Sequence, residues 1–122
     1  MEISMMDIEN IFKDYWPILL IGIWFLYKKW NTQRVVQLLP ELRKKGAVVI
    51  DVRSKSEFAQ SNAQGSINIP LNELESSLNK IPKNSPIILC CASGTRSGMA
   101  KSILFKNGFK DVHNVGSWTN LI

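Results

Sequence analysis

Residues 86–108, PIILCCASGTRSGMAKSILFKNG, carry the pattern that decides the fold. The run 86–90, PIILC, is short, apolar and opened by proline, as expected of a strand buried on both faces. Residues 97–106 put Met99, Ile103 and Leu104 on one helical face and stop at Asn107 and Gly108, a good helix end. Between them lie Cys91, Ala92, Ser93, Gly94, Thr95, Arg96 and Ser97. Small side chains and a glycine let this backbone curl until several amide N–H groups converge on one point. The helix that follows aims its positive end at the same point. A cysteine at the base of such a cradle is expected to have a lowered pKa and to exist as thiolate, the nucleophilic form. Arg96 adds a fixed positive charge. The combination fits a thiolate that attacks an anionic group or carries it as a covalent adduct.

Outward from this loop, strands and helices alternate. Residues 47–52, AVVIDV, predict a second buried strand ending at Asp51 and Arg53, and 54–59 predict a brief helix with Ser54 and Glu57 spaced as a capping box. A short strand over 66–69 is stopped by Pro70, a helix over 71–78 is implied by Leu71, Leu74 and Leu78, and 82–86 is a turn. A last strand is expected over 112–115. On the other side, 31–45 carry Val35, Leu38, Leu39 and Leu42 at helical spacing, with Thr32 as N-cap, Gly46 as stop and Pro40 as an early interruption. Strands separated by helices imply crossover connections, hence a small α/β domain with a mostly parallel sheet flanked by helices. Sites in such sheets lie beyond the carboxyl ends of the strands, which selects 51–53 and 91–97. Asp51, Arg53 and Glu57 are expected as supporting residues, an ion-pair set bracing the active-site face. Alternation along the strand turns Cys90 away from the loop. His113 and Trp118 read as packing residues.

The chain has 122 residues, 45% hydrophobic and 20% charged, which fits one globular domain and excludes a disordered or fibrous chain. Two adjacent cysteines cannot make a disulfide framework, and with one histidine there are too few soft ligands for structural zinc, so no disulfide framework and no metal site are expected. The net charge of +5 is uneven. Residues 1–30 sum to −1, whereas 31–122 carry twelve bases against six acids. That excess favours small anions or an anionic surface as partners, and the lack of a dense basic run with interleaved aromatics argues against nucleic acid.

Residues 1–30 read as a hydrophobic anchor helix. The run 15–27, YWPILLIGIWFLY, is thirteen residues without a charge. At about 1.5 Å per residue it covers roughly 20 Å, short of a hydrocarbon slab roughly 30 Å thick. Extended to 11–30 it gives a single transmembrane span with aromatics at interfacial depth. Lys28, Lys29 and Arg34 follow the run, which puts the second segment in the cytoplasm by the positive-inside bias. An interfacial helix, or an apolar helix docked on a partner, are the alternatives.

The runs VVIDVRSKSEF, GSINIP, ILCCASGTRSGMAKSILFKNGF and NVGSW, in this order over residues 33–120, resemble a single rhodanese domain. The resemblance implies that fold over 31–122 and a Cys-x-x-Gly-x-Arg-Ser loop, matched by Cys91, Gly94, Arg96 and Ser97. It also implies transfer of sulfane sulfur from thiosulfate or a persulfide donor, through a Cys91 persulfide, to a thiol or cyanide acceptor. With the anchor, the layout is similar to membrane-tethered bacterial members of the family. Cysteine phosphatases resemble this loop but place one more residue between cysteine and arginine, which favours sulfur over phosphate. The family's Gly-His-Ile stretch is replaced by Ser61, Asn62, Ala63 and Gln64, and the second of a paired glycine by Ser117. These departures keep a second reading open, a membrane-tethered persulfide carrier or protein-binding module with little turnover.

Overall fold

The computed structural model describes residues 4–122. It divides the chain into Met1–Asn31 and Thr32–Ile122. The second unit holds a sheet of four strands, β1 (Val48–Asp51), β2 (Ile67–Asn68), β3 (Ile87–Cys91) and β4 (Val112–Ser117). Their order is β2-β1-β3-β4, and every adjacent pair is parallel. Helices α2 (Lys55–Gln60) and α3 (Thr95–Lys106) accompany it, as do the residues from Thr32 on of α1 (Met5–Lys44).

The pleat of β3 sorts the core. Ile87, Leu89 and Cys91 join Ile50, Leu74, Ala100, Leu104 and Phe109 in one buried cluster. Ile88 and Cys90 point the other way, into a cluster with Val35, Leu39 and Leu42 of α1 and Val115 of β4. All five β3 residues are buried, as a central parallel strand with helices on both faces requires.

Helix ends follow local chemistry. In α2 the Ser54 side chain accepts from the Glu57 N–H while Glu57 accepts from the Ser54 N–H, the capping box expected from the spacing. After α1, the Ala47 N–H bonds the Leu42 carbonyl and the Gly46 N–H bonds that of Arg43. Gly46 has φ +81°, so this is a Schellman stop that favours glycine.

Several expected elements differ. α1 is continuous through Thr32 and Pro40, so Thr32 is not an N-cap and Pro40 does not end the helix. Pro40 is exposed, where water can satisfy the carbonyl its missing N–H leaves unpaired. The helix expected over 71–78 is instead a pair of 3-10 segments, Leu71–Glu73 and Glu75–Lys80. Leu71 and Leu74, three apart, lie on one side of a three-residue turn as readily as on an α-helical face, and Leu74 is fully buried in this form.

In the unit Met1–Asn31, Trp16, Trp24, Phe25 and Tyr27 of α1 are exposed. Among the described residues no helix is long and apolar enough to cross a membrane. This overturns the transmembrane span expected over 11–30 and the cytoplasmic single-pass placement that rested on it. The uncharged run is only 15–27, and Pro17, two tryptophans and two tyrosines dilute its hydropathy. Lengthening it brings in Lys13 and Asp14 on one side and Lys28 and Lys29 on the other.

Candidate functional site

β3 ends on Cys91, and the chain turns through 92–94 into α3. Gly94, with φ +99°, occupies the N-cap position of α3 in a left-handed conformation that a side chain would strain. This sharp turn starts α3 at Thr95, ahead of the expected position, and wraps the loop back over Cys91. The Gly94 N–H donates to Cys91 Sγ at 2.9 Å. Ser97 Oγ lies 3.3 Å from the same sulfur. Cys91 and Ser97 are buried, whereas Ala92, Ser93 and Thr95 are exposed.

Burial alone would push the Cys91 thiol up. The contact with Ser97 Oγ and hydrogen bonds from the backbone amides of Ser97, Gly94 and Ser93 outweigh it, and the thiol falls below its ordinary value. Cys90, one residue away on the opposite face, has no such donors. Burial and the neighbouring Asp51 carboxylate push its thiol up to about 12. Two adjacent cysteines are thus set apart by environment, one ionisable and one inert.

The loop is tied down by a residue that the sequence reading did not single out. Asn114 of β4 accepts from Ser97 Oγ at 2.7 Å and from the Gly116 N–H at 2.9 Å, and it donates to the Gly94 carbonyl at 3.1 Å. Asn114 pairs with Leu89, and alternation along β3 puts Leu89 on the same face as Cys91. The available signal was a polar residue between Val112 and Val115 in an apolar strand.

The supporting residues separate into two ion pairs rather than one set. Asp51 binds Arg53 through the backbone N–H at 2.9 Å and through Nε and Nη2, with Nη2 at 2.8 Å; both side chains are buried. Arg53 also donates to the Ser61 carbonyl at 2.7 Å and stacks on Trp118 with its guanidinium carbon 4.8 Å from the ring centre. It is fully occupied inside the domain. Glu57 turns instead to Arg96, with Nη1 on Oε1 at 2.7 Å and Nη2 on Oε2 at 3.0 Å. The Arg96 hydrogen bonds, with those of Ser54, lower the Glu57 carboxyl to about 2. His113 bonds Asp111 and takes no part in the site's hydrogen bonds.

The profile of the rhodanese-like domain matches residues 35–121. The chain belongs to the rhodanese-like family. Among curated relatives it is 41% identical over 69 residues to the thiosulfate sulfurtransferase PspE of Escherichia coli (strain K12), covering 55% of this chain and 66% of that one. It is 36% identical over 87 residues to the uncharacterized protein YqhL of Bacillus subtilis (strain 168), covering 68% of this chain and 69% of that one. It spans only 36% of YrkF, a B. subtilis protein named as a sulfur carrier. Solved structures agree. A rhodanese with anions from E. coli superposes with a TM-score of 0.57 at 36% identity, over 61% of this chain and 89% of that one. The human single-domain sulfurtransferase gives 0.59 at 29% identity, over 67% and 89%. This rhodanese domain is therefore kin to rhodanese-type sulfurtransferases, in a parallel α/β fold.

Proposed function

We propose that this rhodanese domain transfers sulfane sulfur through a persulfide on Cys91. The observation that carries the reading is a buried sulfur that accepts from the Gly94 N–H at 2.9 Å and lies 3.3 Å from Ser97 Oγ, an environment that lowers its thiol pKa. The Cys91 thiolate attacks the outer sulfur of thiosulfate or of a persulfide donor. A new S–S bond forms, the donor's own bond to that sulfur breaks, and sulfite or a thiolate leaves with the electron pair. The terminal sulfur of Cys91 then carries the negative charge, and the amides of Ala92, Ser93, Gly94, Thr95, Arg96 and Ser97 solvate it. A thiol or cyanide acceptor attacks that sulfur and returns Cys91 as thiolate. The two half-reactions give ping-pong kinetics. The small anionic donors and thiol acceptors of this scheme require no metal or organic cofactor. Intact-mass measurement after thiosulfate treatment tests it: the protein is expected to gain one sulfur atom, removed by cyanide. No gain overturns the reading.

The Ser97 contact sets the pH dependence. Because its folded pKa is depressed, Cys91 is alkylated at a rate that rises with pH, levelling off below the range of an ordinary thiol. Ser97→Ala removes the hydroxyl beside the sulfur and is expected to move the midpoint up. An unmoved midpoint in a pH series of iodoacetamide rates would remove Ser97 from the site.

A second reading, a persulfide carrier with little turnover, draws on the engagement of Arg96 by Glu57, which leaves the loop's cation already bonded. Steady-state thiosulfate:cyanide assays separate the two readings, since a carrier loads once and hardly turns over.

A further inference from the structure

Arg96 is the only charged residue in the loop 91–97, and its charge is met by a carboxylate within the fold. Both oxygens of Glu57 face both terminal nitrogens of Arg96, the bidentate geometry that is strongest for this pair. Glu57 Oε1 also accepts from the Ser54 N–H and the Ser54 hydroxyl at the start of α2. A side chain locked by its own helix cap does not swing aside for an arriving anion. The pair is partly exposed, 36% for Arg96 and 38% for Glu57, so it lies where a donor meets solvent rather than in the core. The buried charges Asp51 and Arg53 neutralise each other.

We propose that Glu57 is a specificity-determining residue that cancels the charge of Arg96 and so shifts donor preference from doubly charged inorganic thiosulfate towards persulfides of thiols, which bring less charge to the loop. The proposal rests on the sulfur-transfer reading above. Its physical content is a difference in Coulomb energy: a carboxylate paired with the loop's arginine opposes a dianion about twice as strongly as a monoanion and leaves a neutral reagent unaffected. The carboxyl remains ionised throughout the neutral range, so the cancellation is constant there.

Glu57→Gln tests it without dismantling α2, because glutamine also serves at this position of a capping box. The full chain is alkylated with iodoacetate, an anion, and with iodoacetamide, its neutral counterpart. Their rate ratio is independent of the thiolate fraction. In the variant the ratio is expected to rise about threefold at low salt and to fall back towards that of the parent as salt screens the freed guanidinium. The kcat/KM for thiosulfate is expected to rise about fivefold to tenfold, with a smaller gain for a singly charged persulfide donor. Glu57→Asp, which keeps the charge, is expected to retain the parent ratio. An unchanged ratio in Glu57→Gln, or equal changes with both reagents, overturns the proposal, the latter by marking a structural effect on the loop. A protein that shows the ratio change yet takes up no sulfur keeps the electrostatic assignment and sinks the transfer reading instead.

Discussion

Cys91→Ser is expected to lower sulfur transfer by at least about three orders of magnitude, to the background rate in solution. A serine hydroxyl at this position would be neutral at any pH at which the domain is folded, and an oxygen cannot hold the terminal sulfur as a persulfide does. The fold is expected to survive, because the Gly94 N–H and the Ser97 hydroxyl that now face sulfur would face an oxygen acceptor of similar size. Far-ultraviolet circular dichroism and the melting temperature check that part. The informative control is next door. Cys90→Ala removes a thiol pushed up to about 12, on the opposite face of β3, and is expected to leave turnover within about twofold apart from a modest loss of stability. If Cys91→Ser kept its activity, or if the added sulfur were found on Cys90, the assignment of the nucleophile would fail. The contrast between neighbours makes the experiment sharp: the same atom type, one residue apart in the chain, is expected to be indispensable in one environment and dispensable in the other.

That contrast was legible in the sequence because it depends on a period of two. A continuous apolar run ending in Cys90 and Cys91 puts one sulfur on each face, and the small residues of 92–94 mark which end of the strand opens into a loop. The Ser54 and Glu57 cap was legible for a similar reason, since both partners lie within one helical turn. Partner choice across the fold was not. The carboxylate of Glu57 lies close in sequence to Arg53, yet its partner is Arg96, thirty-nine residues on, because β1 and β3 are adjacent and their carboxyl ends bring α2 and α3 together. Asn114 escaped notice for the same reason: its role comes from pairing with β3, which no local pattern reveals. The membrane span failed on a quantitative point. A run of thirteen uncharged residues flanked by charges was extended by helical arithmetic to a length that its composition does not sustain. The helix expected over 71–78 failed because leucine spacing alone does not distinguish an α-helix from successive 3-10 turns.

Asp51→Asn is expected to destabilise the domain by about 3–5 kcal/mol, the usual cost of leaving one member of a buried ion pair without its counter-charge. The side chain of Asp51 is wholly buried and that of Arg53 is 5% exposed, so water cannot take over the role of the missing carboxylate. Asparagine makes matters worse locally, since its NH2 group would confront Nε or Nη2 of Arg53 with donor facing donor. For a domain of this size the loss corresponds to a fall in melting temperature of at least about 12 °C. Arg53 spreads the damage, because the same guanidinium bonds the Ser61 carbonyl after α2 and stacks on Trp118 near the end of the chain. The pair thus joins the end of β1, the exit of α2 and the C-terminal turn through one charge. Replacing both members together, Asp51→Leu with Arg53→Met, is expected to recover much of the stability, as buried pairs generally compare poorly with well-packed apolar side chains. Urea unfolding of the parent, of Asp51→Leu and Arg53→Met singly and of the two combined gives the coupling directly. A loss below about 1 kcal/mol in Asp51→Asn, an amount typical of exposed pairs, would mean that this pair does not hold the fold together. If the full loss appears while the folded fraction still takes up sulfur on Cys91, then the buried pair supports the fold, and the chemistry belongs to the amides, Ser97 and the sulfur itself.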